Sequence, residues 1–424
     1  MTRAPAEADR SLEWQQWAHQ TIRRLLGILA LVSLVFLATE TTARAGVLPA
    51  LQPLSLTQVA TDMLFAIGFG CPIVLFVSAL PGRRDVVLAA LAGTLCSIAI
   101  VAAIERPAAP AVVIGVGLGC LGIQLLQSRR GSDSSRLYAR LFLLPSIVAL
   151  IYTLQAAVFL NFLAYQLPLT YDARVYALDA GFGVQPSFAA GRLFAAAPLL
   201  GWICFAIYTA PPPILAYVYA LQVRAKRPPP RDAITALLVL GLSGYAFYFL
   251  YPVCGPLFAF GDAFPTQPPT LDPETVGMIA VPPVHATHVA WRNAMPSLHL
   301  GSVLLALWLS PPLGRWPTLV SRIVVAGTAL ATLGLGEHYA VDLLVALPFT
   351  LVGYALTLGG PWTPERRDGS VAGVVLVAAW YAVLFTVPAR VGQMPALLWS
   401  LTLLTMAAVW WLERRISRTV PAQR

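Results

Sequence analysis

Charge is what this 424-residue chain lacks. Only 11% of its residues are Asp, Glu, Lys or Arg, whereas 58% are hydrophobic and the mean hydropathy is +0.72. Soluble domains carry about 25% charged residues, so an ordinary globular enzyme is excluded. Intrinsic disorder and nucleic-acid binding both require dense charge and are excluded with it. Lysine is almost missing, Lys226 being the single one, and histidine and cysteine number five each. Cys71, Cys96, Cys120, Cys204 and Cys254 show neither a CxxC nor a paired spacing. Neither a disulfide framework nor a zinc site is expected, and four of the five read as small core hydrophobes.

Apolar runs of membrane-spanning length take the place of charge. Twelve spans are expected near residues 25–42, 60–80, 86–104, 109–127, 140–166, 193–222, 233–253, 296–312, 317–336, 339–359, 370–389 and 394–412. The expected fold is therefore all-α, a polytopic membrane protein of about 12 transmembrane helices. Alternate connections are Arg-rich: Arg23-Arg24, Arg83-Arg84, Arg129-Arg130, Arg224 to Arg231, Arg366-Arg367 and Arg414-Arg415. With both termini inside, 22 of the 28 basic residues face the cytoplasm and ten of the 19 acidic ones face outward. That is the positive-inside distribution, so the basic balance reports topology and not a nucleic-acid partner. The segment 193–222 carries Pro211-Pro212-Pro213 and reads as one kinked crossing. The first 22 residues lack the order of a cleavable signal peptide, and Trp14 and Trp17 suggest an interfacial helix.

Two outward connections are long. Residues 167–192 contain a helix-like stretch with Asp172, Arg174 and Asp179, and residues 254–295 are rich in Pro and Gly. Loops of this length in a compact protein are usually functional or disordered, and their aromatic content favours an ordered cap. The second loop runs into Arg292-Asn293-Ala294-Met295-Pro296-Ser297-Leu298-His299. Pro296 suits the first helical position, which places Ser297 and His299 in the first turn beside free N–H groups and the positive end of the helix dipole. His338 follows two antiparallel crossings later, so both histidines reach the same membrane face. His338 and Asp342 are four apart and share one helix face, where a carboxylate fixes the tautomer of an imidazole and raises the basicity of its far nitrogen. A lone histidine at a span end is usually interfacial. Two on one face, one at a helix N-terminus and one with an Asp four residues on, read as functional. His285 and His288 read as loop polarity and not as metal ligands, for no carboxylate or cysteine cluster accompanies them.

Pro296-Ser297-Leu298-His299 followed by His338-Tyr339-Ala340-Val341-Asp342 resembles the paired motifs of the type 2 phosphatidic acid phosphatase superfamily. The closest likeness is to the branch containing inositol phosphorylceramide synthases and sphingomyelin synthases, and it covers about residues 140–360. The loop with Asp172 and Asp179 and the segment Tyr251 to Pro256 are similar to that branch more weakly. The resemblance implies three regions: 1–135, an N-terminal cytoplasmic segment with four additional helices; 136–360, a six-helix phosphatase/phosphotransferase core; and 361–424, two further helices and a basic tail. It implies His338 as nucleophile through a phosphohistidine, Asp342 as its orienting partner, His299 as general acid and then base, and Ser297 as phosphate ligand, with no metal and no cofactor. The phosphatase members carry a Lys-six-residues-Arg-Pro motif, and a Ser-Arg pair ahead of the nucleophilic histidine. This chain has neither: Ala331-Thr332 stand at the pair, and Leu298 replaces a Gly. Developing negative charge still needs a cation, for which Arg292 is the first candidate, with Arg174 and Arg192 behind it.

The expected function is a membrane-embedded lipid phosphotransferase, inositolphosphotransferase-like, acting at the extracytoplasmic face on a lipid substrate in the bilayer. A lipid phosphate phosphatase of the same superfamily is the alternative. A twelve-helix secondary transporter is the competing class, which the near-absence of ionisable residues at mid-bilayer disfavours. The preference for Arg over Lys suggests a bacterial inner membrane.

Overall fold

A computed structural model describes residues 3–45, 55–105, 108–226, 229, 232–270, 279–280 and 290–419. In chain order its helices are α1 (Arg3–Arg44), α2 (Leu56–Thr61), α3 (Met63–Ser78), α4 (Arg83–Ile104), α5 (Ala109–Gln127), α6 (Asp133–Gln166), α7 (Asp172–Asp179), α8 (Pro186–Ala196) and α9 (Pro198–Tyr208). They continue as α10 (Pro211–Arg224), α11 (Ala233–Leu250), α12 (Pro256–Phe260), α13 (Leu298–Leu309), α14 (Arg315–Gly334), α15 (Ala340–Thr357), α16 (Pro364–Thr386), α17 (Pro388–Gly392) and α18 (Pro395–Thr419). Among the described residues, nine helices are long and apolar enough to cross a membrane, and the pair α9–α10, bent by 52°, brings the number to ten if it is counted as one span. With α3 and α13, which are shorter apolar helices, each of the twelve expected spans falls on a helix. The chain is an all-α polytopic membrane protein. Membrane-spanning backbone has no water to bond to, and the helix satisfies its N–H and C=O groups internally.

The helix-like stretch expected in the connection 167–192 is α7, and a second helix, α8, already begins there at Pro186, a residue pre-set for the first helical position. The eighth span shrinks to the 12 residues of α13, about 18 Å of helix against the roughly 30 Å of a hydrocarbon core. Ser297 caps it at one end, and Pro311-Pro312 stop it at the other.

The chain divides into two compact units, Met1–Phe162 with Pro212–Ile234, and Leu163–Pro211 with Thr235–Arg424. In the first, α4 and α5 approach closely through glycines. A Cβ on Gly119 would lie 2.4 Å from the Ala89 carbonyl oxygen and 2.5 Å from the Gly93 nitrogen, and one on Gly115 would meet Ser97. Such small-residue seams are how helices gain dispersion energy where lipid offers no hydrophobic drive. Phe65, Ile114 and Ala157 join α3, α5 and α6 in a buried cluster, and Arg24 pairs with the buried Asp232 at 3.6 Å.

In the second unit, residues Leu169–Thr170 pair antiparallel with Ile279–Ala280, fastening one long connection to the other. Phe194 of α8, Cys204 of α9 and Ala331 of α14 form a buried cluster, and α15 lies among α13, α16 and α18 with Leu344, Val345 and Ala346 buried.

Gly119→Val tests the glycine seam. The obstructing atoms are backbone, which cannot rotate away, so the substitution should cost about 1–3 kcal/mol. It is read as a lowered Tm of the detergent-purified protein, while Gly122→Val, where nothing lies within 4 Å, should leave Tm within error.

Candidate active site

Three segments of the second unit converge on His338. The ring is 2% exposed and stands in the turn between α14 and α15. Its main chain is held first: the N–H groups of Glu337 and His338 both donate to the Thr332 carbonyl at 3.1 Å, and its own carbonyl accepts from Ser187 Oγ of α8 at 2.7 Å. Gly336 makes the turn possible with φ +75°, a conformation that L side chains rarely adopt. Gly255, at φ +93°, lets a second segment pass, since a Cβ there would meet the Glu337 carbonyl at 2.4 Å.

The ring's two nitrogens are distinguished by their partners. Nδ1 lies 2.9 Å from the Ala294 carbonyl oxygen. A carbonyl can only accept, so Nδ1 carries the proton and Nε2 presents a lone pair. Nε2 faces Ser297 Oγ at 3.2 Å. Ser297 is the N-cap of α13: its Oγ accepts from Leu300 N–H at 3.3 Å, and its hydroxyl proton is free to donate to Nε2. The helix therefore starts at Leu298 and not at Pro296 as expected, because the serine side chain satisfies an amide that proline cannot reach. His299 becomes the second residue of α13. Its ring stacks on Tyr208 at the end of α9, with centroids 4.2 Å apart and planes at 21°, and meets His338 edge-on with centroids 5.9 Å apart.

Asp342 is fully buried. Its Oδ2 accepts the Tyr339 N–H at 2.8 Å, closing the start of α15, and lies 3.4 Å from His338 Nδ1. The nearer acceptor of the Nδ1 proton is the Ala294 carbonyl, so the backbone sets the tautomer, with the Asp342 carboxyl beside it. Asp342 Oδ1 is buried with no hydrogen-bond partner. The carboxylate is drawn back because an N3 acid satisfies the amide of its own N-cap residue.

The expected cations are placed apart. Arg292, 5% exposed, donates from Nε to the Leu167 carbonyl at 2.9 Å and from Nη1 to the Ala290 carbonyl. Arg174 donates to the Phe385 carbonyl at 3.0 Å and lies over the Tyr171 ring. Arg192 is exposed on α8. Among the described residues no contact joins any of the three to Ser297, His299 or His338. His285 and His288 lie outside the described residues.

Asp172 and Asp179 are structural anchors. Asp172 accepts from Gly255 N–H at 2.9 Å and Tyr339 Oη at 2.9 Å, while Asp179 accepts from Ala340 N–H at 2.8 Å and Val341 N–H at 3.1 Å, filling the N-terminus of α15. Burial pushes the Asp179 carboxyl up to about 8 and the half-buried Glu337 carboxyl up to about 7. Burial also pushes the His338 imidazole down to about 4, against which its bond to Ala294 acts weakly. Tyr208 and the Ala294 carbonyl carry no sequence signal: a tyrosine ending an apolar helix and a backbone oxygen are both silent until the chain folds.

Fold and site together define a membrane protein with a Ser–His–His–Asp centre at the end of a short helix. A family model for the PAP2 superfamily matches residues 173–356, the stretch that contains all four residues. No curated protein and no solved structure matches the chain.

Three outcomes are expected of this geometry. His338 is neutral at pH 7, and ¹⁵N spectra of histidine-labelled protein should show its Nδ1–H tautomer; an imidazolium at pH 7 would overturn the assignment. Unfolding returns this histidine to about 6.5, so the unfolded chain binds the extra proton. The stability it contributes is present above about 6.5 and is lost as pH falls toward 4. Asp342→Asn should keep the tautomer, because Ala294 holds it, and reduce turnover by about 10- to 100-fold. Loss of a tautomer-setting Asp costs about 10⁴.

Proposed function

We propose that the chain is a PAP2-superfamily enzyme that transfers a phosphate-bearing group between lipid alcohols at the extracytoplasmic face of the membrane. The observation that carries this reading is the Ser297–His338 contact: an Nε2 lone pair, tautomer held from behind, aimed at the N-cap of a helix, the end that favours an anion. A phosphate group entering there displaces the serine hydroxyl from Nε2, and Ser297 and the α13 amides turn to its oxygens.

His338 Nε2 attacks phosphorus while the bond from phosphorus to the donor's alcohol oxygen breaks, and His299 gives that oxygen a proton. In the second half an acceptor hydroxyl gives its proton to His299, its oxygen bonds to phosphorus, and the phosphorus–nitrogen bond breaks to restore His338. Tyr208 holds the His299 ring by stacking. Asp342 stabilises the positive charge that His338 gains.

A transferase acting on a diester, inositolphosphotransferase-like, is favoured over a phosphatase acting on a monoester. Arg174 and Arg292 spend donors on backbone carbonyls, which suits a singly charged phosphate better than a dianion. The Arg-rich connections support cytoplasmic termini, with the site on the opposite face of a bacterial inner membrane. The chemistry calls on no metal, so EDTA should leave turnover unchanged.

Purified protein supplied with phosphatidylinositol and a hydroxyl acceptor such as ceramide or diacylglycerol should form a new phospholipid. His338→Ala should abolish that product, and His299→Ala should lower it by about 10²–10⁴. Phosphate release from phosphatidic acid without any acceptor would establish the phosphatase instead. Equal activity in wild type and His338→Ala would remove the proposed nucleophile.

A further inference from the structure

The first unit contains a cavity of about 1050 Å³ that the chemistry above does not use. It opens at the end of the unit where α3 turns into α4, α5 into α6, and α10 ends. Three cations line it, Arg84, Arg130 and Lys226, the last being the only lysine in the chain. One carboxylate lines it as well, Asp85, whose Oδ2 already accepts from Gln127 Nε2 at 2.9 Å. Deeper in the same wall is Gln124, 2% exposed, with neither its amide oxygen nor its amide nitrogen hydrogen-bonded. The indole N–H of Trp14, also in the wall, is buried without a partner. Buried polar groups are almost always satisfied, and a side chain with both ends open toward a cavity marks a place where something binds. Gln15, Ser134 and Ser135 also line it, and the apolar part of the wall includes Ile123 and Phe142, which are buried, and Leu88 and Leu126, which are 40% and 42% exposed.

We propose that this cavity is a binding site for an anionic membrane lipid. Its phosphate sits between Arg84, Arg130 and Lys226 and takes hydrogen bonds from the Gln124 amide and the Trp14 indole. Its chains run over Ile123 and Phe142 and leave past Leu88 and Leu126 into the bilayer. Three cations against one carboxylate select negative charge, and the mixed wall selects an amphiphile. The connections that frame the cavity belong to the Arg-rich set, which places the site on the cytoplasmic side. It is thus separate from the proposed phosphotransferase centre and stands whether or not that reading holds.

The test is photo-crosslinking of full-length protein in phosphatidylcholine nanodiscs with a diazirine-bearing phosphatidic acid, mapped by peptide mass spectrometry. Crosslinks are expected in α5 and the first turns of α6. They should fall at least tenfold in the Arg84→Gln/Arg130→Gln/Lys226→Gln variant, whose changes are all on exposed side chains, and in Gln124→Leu. Crosslinks in α13–α15 should be unaffected, which controls for folding. Unchanged labelling of α5 in the triple variant would overturn the proposal, as would equal labelling by a diazirine phosphatidylcholine. Inorganic phosphate should fail to compete at a hundredfold excess; displacement at equal concentration would overturn the lipid assignment in favour of a soluble phosphate ligand.

Discussion

A helix that ends away from water leaves backbone N–H groups that something else in the chain must satisfy. In the second unit that requirement is met by a few buried side chains, and the candidate centre is built from the same groups. Asp179 fills the start of α15 through the amides of Ala340 and Val341, Asp342 closes it through Tyr339, and Ser297 caps α13 through Leu300. Asp172 ties the segment after α11 to Tyr339. The Asp179 cap and the Asp172 tie draw together parts of the chain far apart in sequence, while the Ser297 and Asp342 caps are local. His338 lies in the turn between two capped elements, with little freedom left to its backbone.

The same economy explains how the ring is set. A buried imidazole beside a carboxylate is costly if charged and under-determined if neutral, because either nitrogen can hold the proton. The Ala294 carbonyl removes the ambiguity. It can do so because Ala294 is itself fixed, its N–H donating to the Val253 carbonyl at 2.9 Å, and because Ser297 N–H reaches the Asp342 carbonyl at 3.3 Å, locking the start of α13 to the start of α15. Asp342 Oδ1 is buried without a hydrogen bond, which leaves a carboxyl oxygen unspent beside the ring, an arrangement more useful next to a group that becomes cationic than to a neutral one.

The first unit solves a different problem. Its helices meet through glycine seams, where close backbone approach replaces hydrophobic drive, and its polar groups gather at one end around a cavity instead of in a turn. Cations, an unsatisfied amide and exposed leucines line it, a combination suited to an amphiphile and unlike the centre proposed in the other unit.

Hydropathy was enough to establish the membrane class and to place each apolar segment on a helix, because burial in hydrocarbon acts on each segment independently of its neighbours. Ser297, His299, His338 and Asp342 were legible as a group because their spacing spans two crossings and a turn, and residues 173–356 do match the PAP2 superfamily. The partners of those residues were not legible. That Nδ1 of His338 bonds to the carbonyl of Ala294, that Tyr208 stacks on His299, that Arg174 and Arg292 turn to backbone oxygens, and that Gln124 looks into a cavity all depend on contacts between segments remote in sequence. Spacing and composition say which residues can share a face; only packing decides which donor finds which acceptor, since a hydrogen bond is settled over tenths of an ångström that the sequence does not encode locally.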